Sequence, residues 1–137
     1  LPRISTDEHR LNDITHQCIA AAFAVSNELG CGFLEKVYEN AMAVELRRRG
    51  LCVEQQKSVT VFYQGEPVGD CIADIVVNSC VILELKAVRE FDPVHAAQCV
   101  NYLRATGLPI CLLINFGSPR VKIKRFIRPD LRASISR

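Results

Sequence analysis

Ile72-Ala73-Asp74-Ile75-Val76-Val77 and Val81-Ile82-Leu83-Glu84-Leu85-Lys86 are two short runs of mostly β-branched and aliphatic residues, separated by Asn78-Ser79-Cys80. Their length and composition predict neighbouring β-strands, apolar on both faces and therefore covered on both sides. Three charges interrupt them. Side chains alternate along a strand, so Glu84 and Lys86 share one face. With Asn78 to Cys80 as a three-residue loop, Asp74 falls opposite Glu84 on that face; a two-residue turn would send it to the other. Two carboxylates meeting in a poorly hydrated setting repel each other and lose hydration, a costly arrangement without a cation. Mg²⁺ (or Mn²⁺) resolves it, because such an ion takes one or two carboxylates and keeps waters that phosphate oxygens can replace. The expectation is a metal site of the kind that hydrolyses phosphodiester bonds, with Lys86 steadying the attacking water or the charge developing on phosphate. The alternative is a metal-free ion cluster in which Lys86 neutralises both acids.

Apolar residues recur at helical spacing from about Leu11 to Leu29, and Gly30 supplies a stop. Residues 1–9 read as a loose arm. A second helix is expected from Phe33 to Arg49, with Val37, Tyr38, Ala41, Met42 and Leu46 inward and Arg47 to Arg49 suiting the dipole of its last turn. Strands are predicted near Val53–Tyr63, Gly69–Val77 and Val81–Ala87, with a turn at Gln64 to Pro67. Asp92-Pro93 opens a third helix reaching about Thr106, closed by Gly107, and strands follow at Ile110–Asn115 and Val121–Ile127. The order ααβββαββ is an α/β arrangement around a mixed sheet.

Two further places belong with the charged strands. Glu35 stands in the first turn of the second helix near Tyr38 and Met42, which directs it inward; alternatively it complements the helix dipole. His95, Gln98 and Tyr102 are spaced i, i+3, i+7 and so stack on one face of the third helix, as a wall of the same cleft or as a hydrogen-bonded helix edge.

The 137 residues suffice for one ordinary core, so a single domain over 1–137 is expected. No apolar run approaches the roughly 18 residues of a membrane span, and no signal sequence is visible, which points to the cytoplasm. The sequence begins at Leu1, consistent with removal of an initiator, a short upstream segment or a processed leader. Seven cysteines without a C-x-x-C pair argue against zinc and iron–sulfur sites and read as small buried hydrophobes. The net charge of +2 is unevenly spread: residues 120–137 hold seven basic residues and one acid, the remainder ten basic and fourteen acidic. This basic C-terminal part, with Lys122, Lys124 and Arg125 and a tail over 128–137, suits a surface gripping nucleic-acid phosphates, or else is a solvated end.

The segments GFLEKVYENAMAVELRRRGL, ADIVV, ILELKAV, HAAQCVNYLRATGL and LLINFG together resemble the GxxExxY family, a RecB-like branch of the PD-(D/E)XK nuclease superfamily, over roughly Leu11 to Phe126. The resemblance implies a restriction-endonuclease-like fold, with a central mixed sheet flanked by helices and a metal site at the mouth of the second and third strands. It assigns Asp74, Glu84 and the backbone carbonyl of Leu85 as metal ligands, Lys86 as the catalytic lysine, and Glu35 as the helical acid completing the site. Gln98 and Tyr102 match a Q-x-x-x-Y motif, which the resemblance implies contacts substrate or orients the site. Ala73 stands where the superfamily pattern has proline, and the cysteines that hold an iron–sulfur centre in some relatives are absent. The implied activity is a Mg²⁺- or Mn²⁺-dependent nuclease acting on DNA, with a homodimer as one way to engage two strands. The rival is a catalytically silent nucleic-acid-binding or protein-assembly module on the same fold.

Overall fold

A computed structural model describes residues 4–131, with side chains described from Glu8 to Asp130. Its elements are α1 (Ile4–Leu29), α2 (Glu35–Arg48), β1 (Val53–Tyr63), β2 (Glu66–Val77), β3 (Val81–Lys86), α3 (Pro93–Thr106), β4 (Ile110–Asn115), β5 (Lys122–Ile127) and a 3₁₀ turn at Pro129–Leu131. The expected order stands, and β1 and β4 have the expected bounds. α1 is longer than periodicity predicts: it begins at Ile4, so the loose arm through residue 9 gives way to helix. The hairpin turn is shorter, because Gln64 and Gly65 both take positive φ and make a two-residue connection from Tyr63 to Glu66.

The five strands lie in chain order, β1-β2-β3-β4-β5. All neighbours are antiparallel except β3 and β4, which run parallel because α3 carries the chain from the end of one to the start of the other. Such a pair is buried on both faces, and every residue from Val81 to Leu85 and from Ile110 to Asn115 is buried. On one face, Ile75, Val77, Leu83, Leu85, Leu112 and Ile114 pack against Ile14, Cys18, Ala22, Tyr38, Met42 and Leu46 of α1 and α2. On the other, Val76, Ile82, Cys111 and Leu113 pack against Cys99, Tyr102 and Leu103 of α3. Val37, expected inward, is 39% exposed, and Ala43 takes the buried place instead. Cys18, Cys99 and Cys111 are buried as expected, but Cys31 and Cys52 lie on the surface.

Candidate functional site

The site forms where β2 and β3 part. Their pairs Val77↔Val81, Val76↔Ile82 and Ile75↔Leu83 have the register expected from a three-residue loop, and pairing stops there. The next residue, Asp74, does not simply sit across from Glu84 in a continued ladder: its Oδ2 accepts the Leu85 amide at 2.8 Å, so the carboxylate lies against the β3 backbone. On the other flank, β1 pairs with β2 at Gln55↔Ile75 and Lys57↔Ala73, skipping Gln56, whose φ is +52°. A non-glycine residue in that region is strained, and the strain sits directly beside Asp74.

Glu84 is 3% exposed, and its Oε2 lies 3.5 Å from the Lys86 ammonium. Its Oε1 has no hydrogen-bond partner and is, among the described residues, the one buried side-chain oxygen or nitrogen so placed. Burial first, then the negative charge of Asp74, pushes the Glu84 carboxyl up to about 8, against the opposing pull of Lys86. Asp74 is also pushed up, chiefly by burial; the Leu85 amide and Lys86 draw it down, while Glu39 and Glu35 add to the rise. A cation placed between them would favour the ionised form of each.

A cleft of about 270 Å³ opens beside Asp74, lined by Glu35, Lys36, Glu39, Gln56 and Leu85. Glu35 is at its rim rather than turned inward: it is exposed, and its Oε2 accepts the Ala87 amide at 3.3 Å. Glu39 is the acid that sequence reasoning passed over. It is 4% exposed and accepts hydrogen bonds from Gln56 (2.7 Å), Gln55 (2.7 Å) and Lys36 (3.2 Å). Its place one residue after Tyr38, on the inner side of α2, was the available signal.

The loop ahead of α2 is held by Tyr38, whose hydroxyl donates to the Gly30 carbonyl at 2.6 Å and accepts the Phe33 amide, while its ring stacks on Phe116. The end of β3 is held from β4. Buried Asn115 accepts the amides of Val88 and Gly117 and donates to the Val88 carbonyl, and Phe116 donates to the Lys86 carbonyl. A Cβ on Gly117 would overlap the backbone of Ala87 and Val88. Asn115 and Gly117 were also missed, although Asn-Phe-Gly directly after an apolar strand was there to be read.

On α3 the expected stripe divides. Gln98 donates to the Tyr102 hydroxyl (3.2 Å), which donates to the Ile72 carbonyl (2.9 Å), tying α3 to β2 two residues from Asp74. His95 serves elsewhere: its Nδ1 accepts the Asp92 amide, half of a capping box at the helix start. Lys122 and Lys124 are exposed, and the register Lys86↔Asn115↔Lys122 and Glu84↔Leu113↔Lys124 places them in rows with the site residues. Arg125 points to the opposite face, because side chains alternate, and donates to Asn12. Arg132 and Arg137 of the basic tail lie outside the described residues.

The fit to a divalent ion rests on the orphaned Glu84 Oε1 and on the hard oxygens beside it. No three His, Cys, Asp or Glu side chains among the described residues converge to hold an ion. Asp74 and Glu84 still suit Mg²⁺, which needs only one or two carboxylates and completes its shell with water and phosphate.

The model of the PD-(D/E)XK nuclease superfamily matches residues 12–126, and the chain belongs to that superfamily. No curated protein matches the chain. Among solved structures it resembles an alkaline exonuclease, LHK-Exo, from Laribacter hongkongensis (TM-score 0.52, 17% identity, 74% of this chain and 60% of that one). It also resembles the protein SSO0001 (TM-score 0.55, 17% identity, 98% of this chain and 66% of that one). At such identity the likeness is one of fold, and the chain spans no more than about two thirds of either structure.

Proposed function

We propose that this protein is a divalent-metal-dependent nuclease of the GxxExxY branch, hydrolysing phosphodiester bonds of nucleic acid, with DNA the expected substrate. One observation carries the reading: a buried glutamate with an unpartnered oxygen, beside a lysine and a half-buried aspartate, in a chain of a nuclease superfamily. Asp74, Glu84 and the Leu85 carbonyl would hold Mg²⁺ or Mn²⁺, which when bound supplies Lewis acidity and an activated water. Lys86, largely shielded from solvent, places a positive charge where the phosphate gains negative charge. Gln98 and Tyr102 brace the β2 side of the site, and Lys122 and Lys124 offer phosphate contacts on the same face as Lys86. Glu35 and Glu39 line the wall next to Asp74. A cytoplasmic location suits the free cysteines. A homodimer would let a domain of this size engage two strands.

The second reading is a binding or assembly module without turnover. It is favoured by the engagement of the Glu35 carboxylate with the Ala87 amide. Incubating the purified protein with labelled single- and double-stranded DNA and RNA plus Mn²⁺ separates the two. Cleavage abolished in Lys86→Ala supports the nuclease; cleavage by both proteins alike marks a contaminant and removes the assignment.

A further inference from the structure

β1 is the outermost strand, and among the described residues no strand pairs with its outer edge. Because β2 leaves β3 after Ile75↔Leu83, the hairpin from Ser58 to Ile72 stands out of the sheet as a two-stranded ribbon. α3 shields part of it, burying Val59 and gripping the Ile72 carbonyl through Tyr102. Beyond that, Phe62 (62%), Tyr63 (65%), Val68 and Ile72 are exposed. An isolated two-stranded ribbon is marginal in water.

The two edges of the ribbon differ. β2 carries the features that keep an edge from pairing: Pro67, Gly69, Asp70 and a register shift where it faces Val61 and Phe62. β1 carries none of them from Ser58 to Tyr63. Ser-Val-Thr-Val-Phe-Tyr has no charge, proline or glycine, and is rich in the β-branched and aromatic side chains that strands favour. An open row of backbone donors and acceptors on such a segment is a template for another strand. Nucleic acid fits it poorly, since the ribbon from Ser58 to Ala73 holds Glu66 and Asp70 and no Lys or Arg.

We propose that β1 pairs with β1 of a second copy of this chain, antiparallel about a twofold axis, joining two sheets into one. A twofold axis brings the same segment against itself in opposite directions, which is the geometry of an antiparallel pair. With the axis at Thr60, Thr60 faces Thr60 of the second copy, Val59 faces Val61 and Ser58 faces Phe62, each pair on one side of the sheet. Threonine pairs and β-branched or aromatic pairs are favourable cross-strand neighbours. Lys57, on this register, meets Tyr63 of the second copy rather than another cation. The contact is short, so affinity on the order of micromolar is expected. It begins two residues from Gln56, and pairing would brace the ribbon that leads into Asp74. The inference does not depend on the reaction proposed above.

Sedimentation velocity over a concentration series tests it, with a shift from one-chain to two-chain mass expected in the parent. Val61→Lys combined with Tyr63→Lys should hold the chain at one-chain mass. In a Cys31→Ser, Cys52→Ser background, Thr60→Cys should give a disulfide-linked dimer under mild oxidation, and Val68→Cys on the other edge should not. A parent that stays monomeric at every concentration overturns the proposal, as does a dimer that persists in the lysine variant. So does a lysine variant that loses affinity for a single-stranded oligonucleotide while the parent never changes mass, since the ribbon would then stack bases. If the lysine variant fails to fold, the paired cysteine variants decide the matter.

Discussion

At the scale of single residues, the informative feature is the cost of Glu84. Its carboxyl, raised to about 8 from an ordinary 4.5, is neutral in the folded metal-free protein at pH 7 but ionised in the unfolded chain. Folding stability from this group is therefore full below pH 4.5 and declines as pH rises toward 8. Glu84→Gln should raise the melting temperature of metal-free protein at pH 8.5 and change it little at pH 4.5; thermal melts at both values check this. Binding of Mg²⁺ near neutral pH should release a proton from the site, and calorimetry in buffers of different ionisation enthalpy would detect it. Asp74→Ala should abolish that binding. Lys86→Ala should leave the fold intact, because the ammonium is partly exposed and its departure leaves a carboxyl able to protonate, yet cleavage should fall by about 10²-fold or more.

Among the elements, the connection after β3 is the most constrained. Asn115 satisfies three backbone groups at once, so Asn115→Ala strands partly buried donors and an acceptor close to Lys86. A loss of about 2–4 kcal/mol is expected, read by urea denaturation, with activity reduced beyond what the unfolded fraction explains. At the start of α3, Asp92→Ala removes one half of the capping box for about 1 kcal/mol, with little effect on cleavage. His95→Ala should behave in the same way, which would separate a cap from a substrate contact. Helix spacing alone put His95 with Gln98 and Tyr102, but only the local path of the chain at Asp92 decides that its ring turns back to an amide.

For the molecule as a whole, salt dependence of binding reports how many phosphates the surface neutralises. Replacing Lys122 and Lys124 with alanine should weaken nucleic-acid affinity and reduce the slope of log K against log salt by about 1.8 for double-stranded DNA. Arg125→Ala should leave that slope unchanged, since the residue faces α1 on the far side of the sheet. Filter binding or fluorescence anisotropy at several salt concentrations distinguishes the lysine pair from Arg125. Net charge could suggest a basic segment but not which of its residues share a face.

Element types, their order and the β2–β3 register were all readable along the chain, because period, loop length and turn residues are local quantities. Asp74, Glu84 and Lys86 stood out for the same reason: charges inside apolar strands are conspicuous without any neighbour. What tertiary structure alone decided is how those strands part. The last ladder pair is Ile75↔Leu83, Asp74 turns to the Leu85 amide, and Glu39 disappears beneath Gln55 and Gln56. These outcomes join residues 8 to 17 positions apart through twist and side-chain hydrogen bonds, and such contacts leave no period in a sequence.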